Sequence, residues 1–297
     1  MRIITILASL FLVPSHSFGQ EQIPRPFASF DLASEQILGD PHDLAIGPDG
    51  RLYVADKLNA RIAVLNADTL VLIETLADGF LPGVRDVSFG PDGQVALAVS
   101  GASMVAVFDN ARAIGPTPSL AIRAPNSEGT LFHSSGKIFA MASGVGALAL
   151  FENSEFVAAV DGHLGAHDVA EGPDGTIWVG DNASRRLVQY APDLTQLNIV
   201  NASKFGFVGP RYLDVTENGF LVVADQESHR ILMIDPTGPN GGTLIGVLGD
   251  GSPGLGPNKF DDPEGVAVDG TRYFISDSDN NRVVRYSVVL KYSVVLN

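Results

Sequence analysis

The chain has 297 residues, with 34 acidic side chains against 19 basic ones. The formal net charge of −15 excludes the basic footprint of a nucleic-acid binder and gives no support for docking on an anionic membrane. An apolar content of 45% with 32 glycines and 18 prolines points to a sizeable all-β core of short strands and tight turns, and the lack of cysteine excludes disulfides, zinc–thiolate sites and thiol catalysis.

In chain order, the first segment reads as a leader. Arg2 supplies a positive start, Ile3 to Val13 is apolar apart from Thr5 and Ser9, and Ser17-Phe18-Gly19 offers a small-x-small site. The apolar run is too short to span a bilayer. The expectation is a signal over residues 1–19 and export to a periplasm or the extracellular space, with a single domain over residues 20–297. Phe27 to Leu32 forms a candidate strand.

The first repeat unit follows. His42-Asp43-Leu44-Ala45-Ile46 is a strand and Gly47-Pro48-Asp49-Gly50 a turn, since proline fixes φ and glycine accepts positive φ. Arg51 to Asp56 and Arg61 to Leu65 are the second and third strands, and Leu70 to Leu76 the fourth. The turn glycine returns as Gly93, Gly136, Gly175, Gly219 and Gly270, at intervals of 39 to 51 residues. Such a period is that of four-stranded propeller blades. An Asp precedes an Arg by five positions in four units: Asp56/Arg61, Asp181/Arg186, Asp225/Arg230 and Asp277/Arg282. These charges are placed to meet across a hairpin. Units two and three lack the pair, which leaves them to apolar packing, and Trp178 in the fourth unit reads as core. Two segments compete to close a ring, Phe27 to Leu32 and Tyr292 to Leu296. The latter repeats the Tyr-Ser-Val-Val-Leu of residues 286–290.

Asp56-Lys57-Leu58-Asn59-Ala60-Arg61-Ile62, Asp277 to Val283, and Asp262-Pro263-Glu264-Gly265-Val266-Ala267-Val268 resemble the core of the NHL repeat. The resemblance covers most of residues 40–287 and implies a six-bladed β-propeller of four-stranded antiparallel blades. It also implies a binding scaffold for a small-molecule, peptide or protein ligand on one face.

The first residue of each innermost strand lies near one mouth of the central channel. These residues are His42, Arg85, Glu128, His167, Arg211 and Glu264. In a six-membered ring His opposes His, Arg opposes Arg and Glu opposes Glu. Three readings stand side by side. His42, His167 and Glu264 are donors suited to a metal such as zinc, with Asp43 and Asp168 as outer acceptors. Arg85 and Arg211 with the histidines suit a carboxylate or phosphate. Ion pairs around a wet channel require no ligand at all.

Pro41-His42-Asp43-Leu44 also resembles the strand starts of the peptidyl-hydroxyglycine amidating lyase family. That family holds a catalytic zinc with three histidines from different blades, beside arginine and tyrosine. The resemblance implies a metal-dependent lyase or hydrolase as the alternative function. His42 and His167 become ligands, and Arg85, Arg211 and Tyr212 catalytic candidates. No third histidine stands at a strand start: His133 and His163 lie elsewhere, and His229 falls in a turn expected to be exposed. Calcium is the other ion considered, because related lactonase-like propellers hold divalent ions on channel carboxylates. Glu128 and Glu264 are the matching acids.

Overall fold

Turn chemistry shapes every blade of the computed structural model, which describes residues 25–239 and 241–288. Gly50 sits at φ +74° with nothing within 4 Å of where a Cβ would stand, so positive φ and not crowding selects glycine there. Its N–H donates to the Gly47 carbonyl at 2.9 Å, closing the first hairpin of the blade. The other turn glycines, at Gly93, Gly136, Gly175, Gly219 and Gly270, share the positive φ.

Six four-stranded antiparallel sheets result. Their inner strands are Pro41–Ile46, Val84–Phe89, Ser127–Phe132, Ala166–Glu171, Pro210–Val215 and Pro263–Asp269, and define blades 1 to 6. Five blades take all four strands consecutively. The sixth takes three and borrows its outer strand, Ser29–Ala33, from the start of the chain. Ser29 pairs with Ser287 and Phe30 with Tyr286 in that closing ladder. The Phe27–Leu32 alternative therefore closes the ring, while Tyr292–Leu296 lies outside the described residues, as does the leader over residues 1–19.

The core consists of six apolar clusters, one at each blade junction. Between blades 1 and 2, for example, Tyr53, Val64, Val87, Leu97 and Phe108 are buried together. Burying each such side chain stabilises the fold by about 1.5–3 kcal/mol. Trp178 is core, as expected, at the junction of blades 4 and 5.

The four Asp/Arg pairs do form, with Arg Nε to Asp Oδ2 distances of 2.6, 2.8, 2.9 and 2.7 Å in chain order. They do more than pin a hairpin. Each aspartate is fully buried, and in three blades its other oxygen takes a backbone N–H from the loop arriving from the previous blade. Gly39, Gly209 and Asp261 are donors at 2.6, 2.8 and 2.6 Å. Blades 2 and 3 lack the pair; in blade 2 a serine ties the arriving loop instead, and in blade 3 a serine ties the start of the next blade. Ser100 Oγ donates to the Gly83 carbonyl, and Ser143 Oγ to that of Ala166.

Candidate functional site

One irregularity recurs at all six strand starts. The register between inner and second strand shifts at Pro41/Leu44, Val84/Asp86, Ser127/Gly129, Ala166/Asp168, Pro210/Leu213 and Pro263/Val266. A β-bulge breaks the strict alternation of faces and re-aims a side chain. Here it releases the six residues expected at the mouth, and they meet as a ring.

The ring is built of two triads, each spanning three adjacent blades. Glu128 of blade 3 takes Arg85 of blade 2 at 3.0 Å and His167 of blade 4 at 3.3 Å. Glu264 of blade 6 takes Arg211 of blade 5 at 3.5 Å and closely abuts His42 Nδ1 of blade 1. Each carboxylate thus bridges the arginine behind it and the histidine ahead of it. The residue after each glutamate must be glycine. A Cβ on Gly129 would lie 2.5 Å from the His167 carbonyl oxygen, and one on Gly265 2.4 Å from that of His42.

Tyr212 breaks this two-fold pattern. It follows Arg211, where the matching position of the other half holds Asp86. Its ring is wholly buried between the two histidines, with centroids 6.1 Å from His42 and 6.5 Å from His167. The hydroxyl lies 3.4 Å from His42 Nδ1 and 3.4 Å from the Glu128 carbonyl. Burial, reinforced by the charges of Glu128 and Glu264, pushes the phenol well above its ordinary pKa, so it stays protonated.

Two neighbours escaped sequence reasoning. Gln226 receives Arg211 Nη1 at 2.7 Å and donates to Asp262 and Glu264 at 2.7 and 3.0 Å. Asp40 faces His42 Nε2 at 3.6 Å. Both lie in connections outside the strand starts. The Asp-Pro step of Asp40-Pro41, repeated at Asp262-Pro263, is the one sequence signal for Asp40, and none marks Gln226.

Burial opposes ionisation of Glu128, but the His167 hydrogen bond and the Arg85 charge prevail and hold it below the usual glutamate range. Burial and the Arg211 charge hold His167 below its ordinary value, so it is neutral at pH 7 and donates Nδ1–H to Glu128. Arg85 uses Nε on Glu128 and Ser100, leaving its two terminal nitrogens without a partner among the described residues. They are the mouth's available bidentate donor.

His42, His167 and Glu264 are not gathered onto one point. Among the described residues, the donor group close enough for one ion is Asp40, His42 and Glu264, all within 4.8 Å of one another. The remaining histidines are engaged elsewhere. His163 is buried against the Tyr190 hydroxyl at 2.7 Å, and His133 contacts Ser135 Oγ and the Gly175 carbonyl. His229 is half-buried and not exposed, because its Nδ1 accepts the Asp262 N–H at 3.2 Å. A three-histidine zinc centre therefore does not fit this donor set.

Deeper in the channel, a cavity of about 290 Å³ is lined by Asp43, Asp86, Asp168, Asp214, Ser88 and Thr130, among others. None of the six ring residues lines it. Three of these aspartates tie their blade to the next: Asp86 accepts Thr130 N–H at 2.5 Å, Asp168 accepts Leu213 N–H at 2.7 Å, and Asp214 accepts Val268 N–H at 2.7 Å. Burial pushes Asp86 up to about 7 and Asp214 up to about 6. Burial raises Asp43 and Asp168 as well, and the charges of neighbouring aspartates add to it.

The NHL repeat family model matches residues 38–65, the first blade's inner three strands with their approach. No curated protein sequence matches the chain. Solved structures match the fold at low identity. Virginiamycin B lyase from Staphylococcus aureus is 12% identical with a TM-score of 0.58, covering 84% of this chain and 95% of its own. Hydrazine synthase from Kuenenia stuttgartiensis gives 14% and 0.61, covering 84% and 96%. The PQQ-bound aldose sugar dehydrogenase from Streptomyces coelicolor gives 14% and 0.63, covering 89% and 99%. The chain is a six-bladed β-propeller carrying an NHL repeat, similar in fold to proteins of different chemistry.

Proposed function

We propose that this NHL-repeat propeller is an exported binding protein that seats a peptide or protein segment on its mouth face. One observation carries the reading. The connections on that face expose Ile37, Leu58, Phe80, Val145, Leu164, Val208 and Leu255, and those on the opposite face expose only Val71 among large apolar side chains of the described residues. Single exposed apolar residues are ordinary; seven spread over one face around a charged mouth form an interaction surface. At its centre the free end of Arg85 and the guanidinium of Arg211 favour a carboxylate anchor, and the apolar rim favours aliphatic or aromatic side chains around it. The leader-like residues 1–19 support export.

Selection from a random-peptide display library on the full chain tests this. The expected pool combines a carboxylate with apolar residues, and Arg85→Ala/Arg211→Ala or Leu58→Asp/Leu164→Asp abolishes its retention. A pool that binds both double variants as well as the parent would refute the reading.

A further inference from the structure

His42 carries a buried nitrogen with nothing to satisfy it. The residue is 0% exposed, and its Nε2 has no hydrogen-bond partner. Its other nitrogen, Nδ1, is pressed against Glu264 Oε2. Glu264 Oε2 is itself buried without a hydrogen-bond partner; with the ring proton on Nδ1, facing that carboxylate, Nε2 is an acceptor. The group facing that acceptor is another acceptor, Asp40 Oδ1, at 3.6 Å. This distance is too long for a hydrogen bond. It is close to the separation of about 3.4 Å between two ligands of one tetrahedral ion with bonds of about 2.1 Å.

Asp40 is held for the task. It sits in the left-handed region at φ 51°, and its N–H donates to Asn281 Oδ1 at 3.0 Å. Lys57 Nζ occupies Oδ2 at 2.6 Å and leaves Oδ1 directed at the imidazole. Glu264 then has the role of an outer carboxylate on a metal-bound histidine, fixing tautomer and ring orientation.

We propose that His42 Nε2 and Asp40 Oδ1 bind a divalent transition-metal ion of the zinc class at the junction of blades 6 and 1, with Glu264 orienting the imidazole and water completing the shell. One imidazole and one carboxylate suit zinc better than calcium, which prefers an all-oxygen shell. The site shares Glu264 with Arg211 of the mouth ring and uses neither His167 nor any other histidine. Its rival is an imidazolium bridging Asp40 and Glu264.

Zinc titration of the full chain, tag-free and pretreated with chelator, separates the two by calorimetry or competition with a chromogenic chelator. The expected result is one Zn²⁺ per chain, with affinity lowered at least tenfold by Asp40→Asn and abolished by His42→Gln. Glu264→Gln lowers it about 10–100-fold, the scale for an outer partner of a ligating histidine. Lys57→Met tightens binding by removing a competing cation from Asp40. Asp40 is partly exposed, so its variant keeps the test valid if His42→Gln fails to fold. No zinc uptake, uptake indifferent to Asp40→Asn, or calcium binding as strong as zinc would each overturn the proposal.

Discussion

Replacing Asp86 by asparagine makes the folded protein more stable at pH 8 and much less affected at pH 4. Asp86 is buried, and its pKa stands at about 7 against an ordinary aspartate value of 3.8. The folded state therefore holds a proton that the unfolded chain has released. A raised carboxyl pKa contributes stability that is fully present below about 3.8 and is lost as pH rises toward 7. Each pKa unit is worth about 1.4 kcal/mol, so an ionised Asp86 at pH 8 costs the fold on the order of 4 kcal/mol. Asparagine keeps a carbonyl oxygen to accept the Thr130 N–H and carries no charge. It also removes the charge that Asp43 feels, so part of the gain passes through that neighbour. Urea unfolding of both proteins from pH 4 to pH 8.5 provides the measurement. The stability difference should grow in favour of the variant across that range. A variant destabilised equally at both ends would show that the acceptor geometry of Asp86, and not its charge, governs the channel.

Gly129→Ala forces a Cβ to 2.5 Å from the His167 carbonyl oxygen. Thermal unfolding should reveal a loss of about 1–3 kcal/mol, the scale of overpacking, with the Glu128–His167 contact disturbed as well. Asp277→Ala leaves Arg282, itself 7% exposed, without its carboxylate and Asp261 N–H without an acceptor. Denaturant unfolding should show a loss of about 3–5 kcal/mol, the scale for breaking a buried pair; a loss below 1 kcal/mol would mean solvent reaches the pair.

The turn glycines and the buried Asp/Arg pairs were legible because each answers a local requirement that repeats with the blade. The ring positions were legible for the same reason. His42, Arg85, Glu128, His167 and Arg211 each stand eight positions before their turn glycine, and Glu264 stands six before Gly270 in a shortened copy. Periodicity places residues around a ring but does not say which neighbour each one touches. Bridging of Glu128 to Arg85 and His167 depends on the bulges, which have no residue signature here. Asp40 and Gln226 belong to connections outside the repeat, and their roles appear only when blades 5, 6 and 1 close on one another. The apolar rim was illegible for a different reason. Leu58, Leu164 and Leu255 are each unremarkable alone, and only the fold places them on one face.

Closure of the sixth blade by Ser29–Ala33 sets an order of events for a chain being synthesised. This strand emerges before the other described strands of the ring, yet its partner contains Ser287, which lies 256 residues beyond Asp31. At roughly 5–20 residues per second, the interval is on the order of 10–50 s. Throughout it, Ser29–Ala33 is an unpaired β-segment beside its own growing blades, open to any free edge it meets. The last contact of the ring is thus made by one of its first residues, and a nascent chain with five finished blades still has two ends able to pair with another copy.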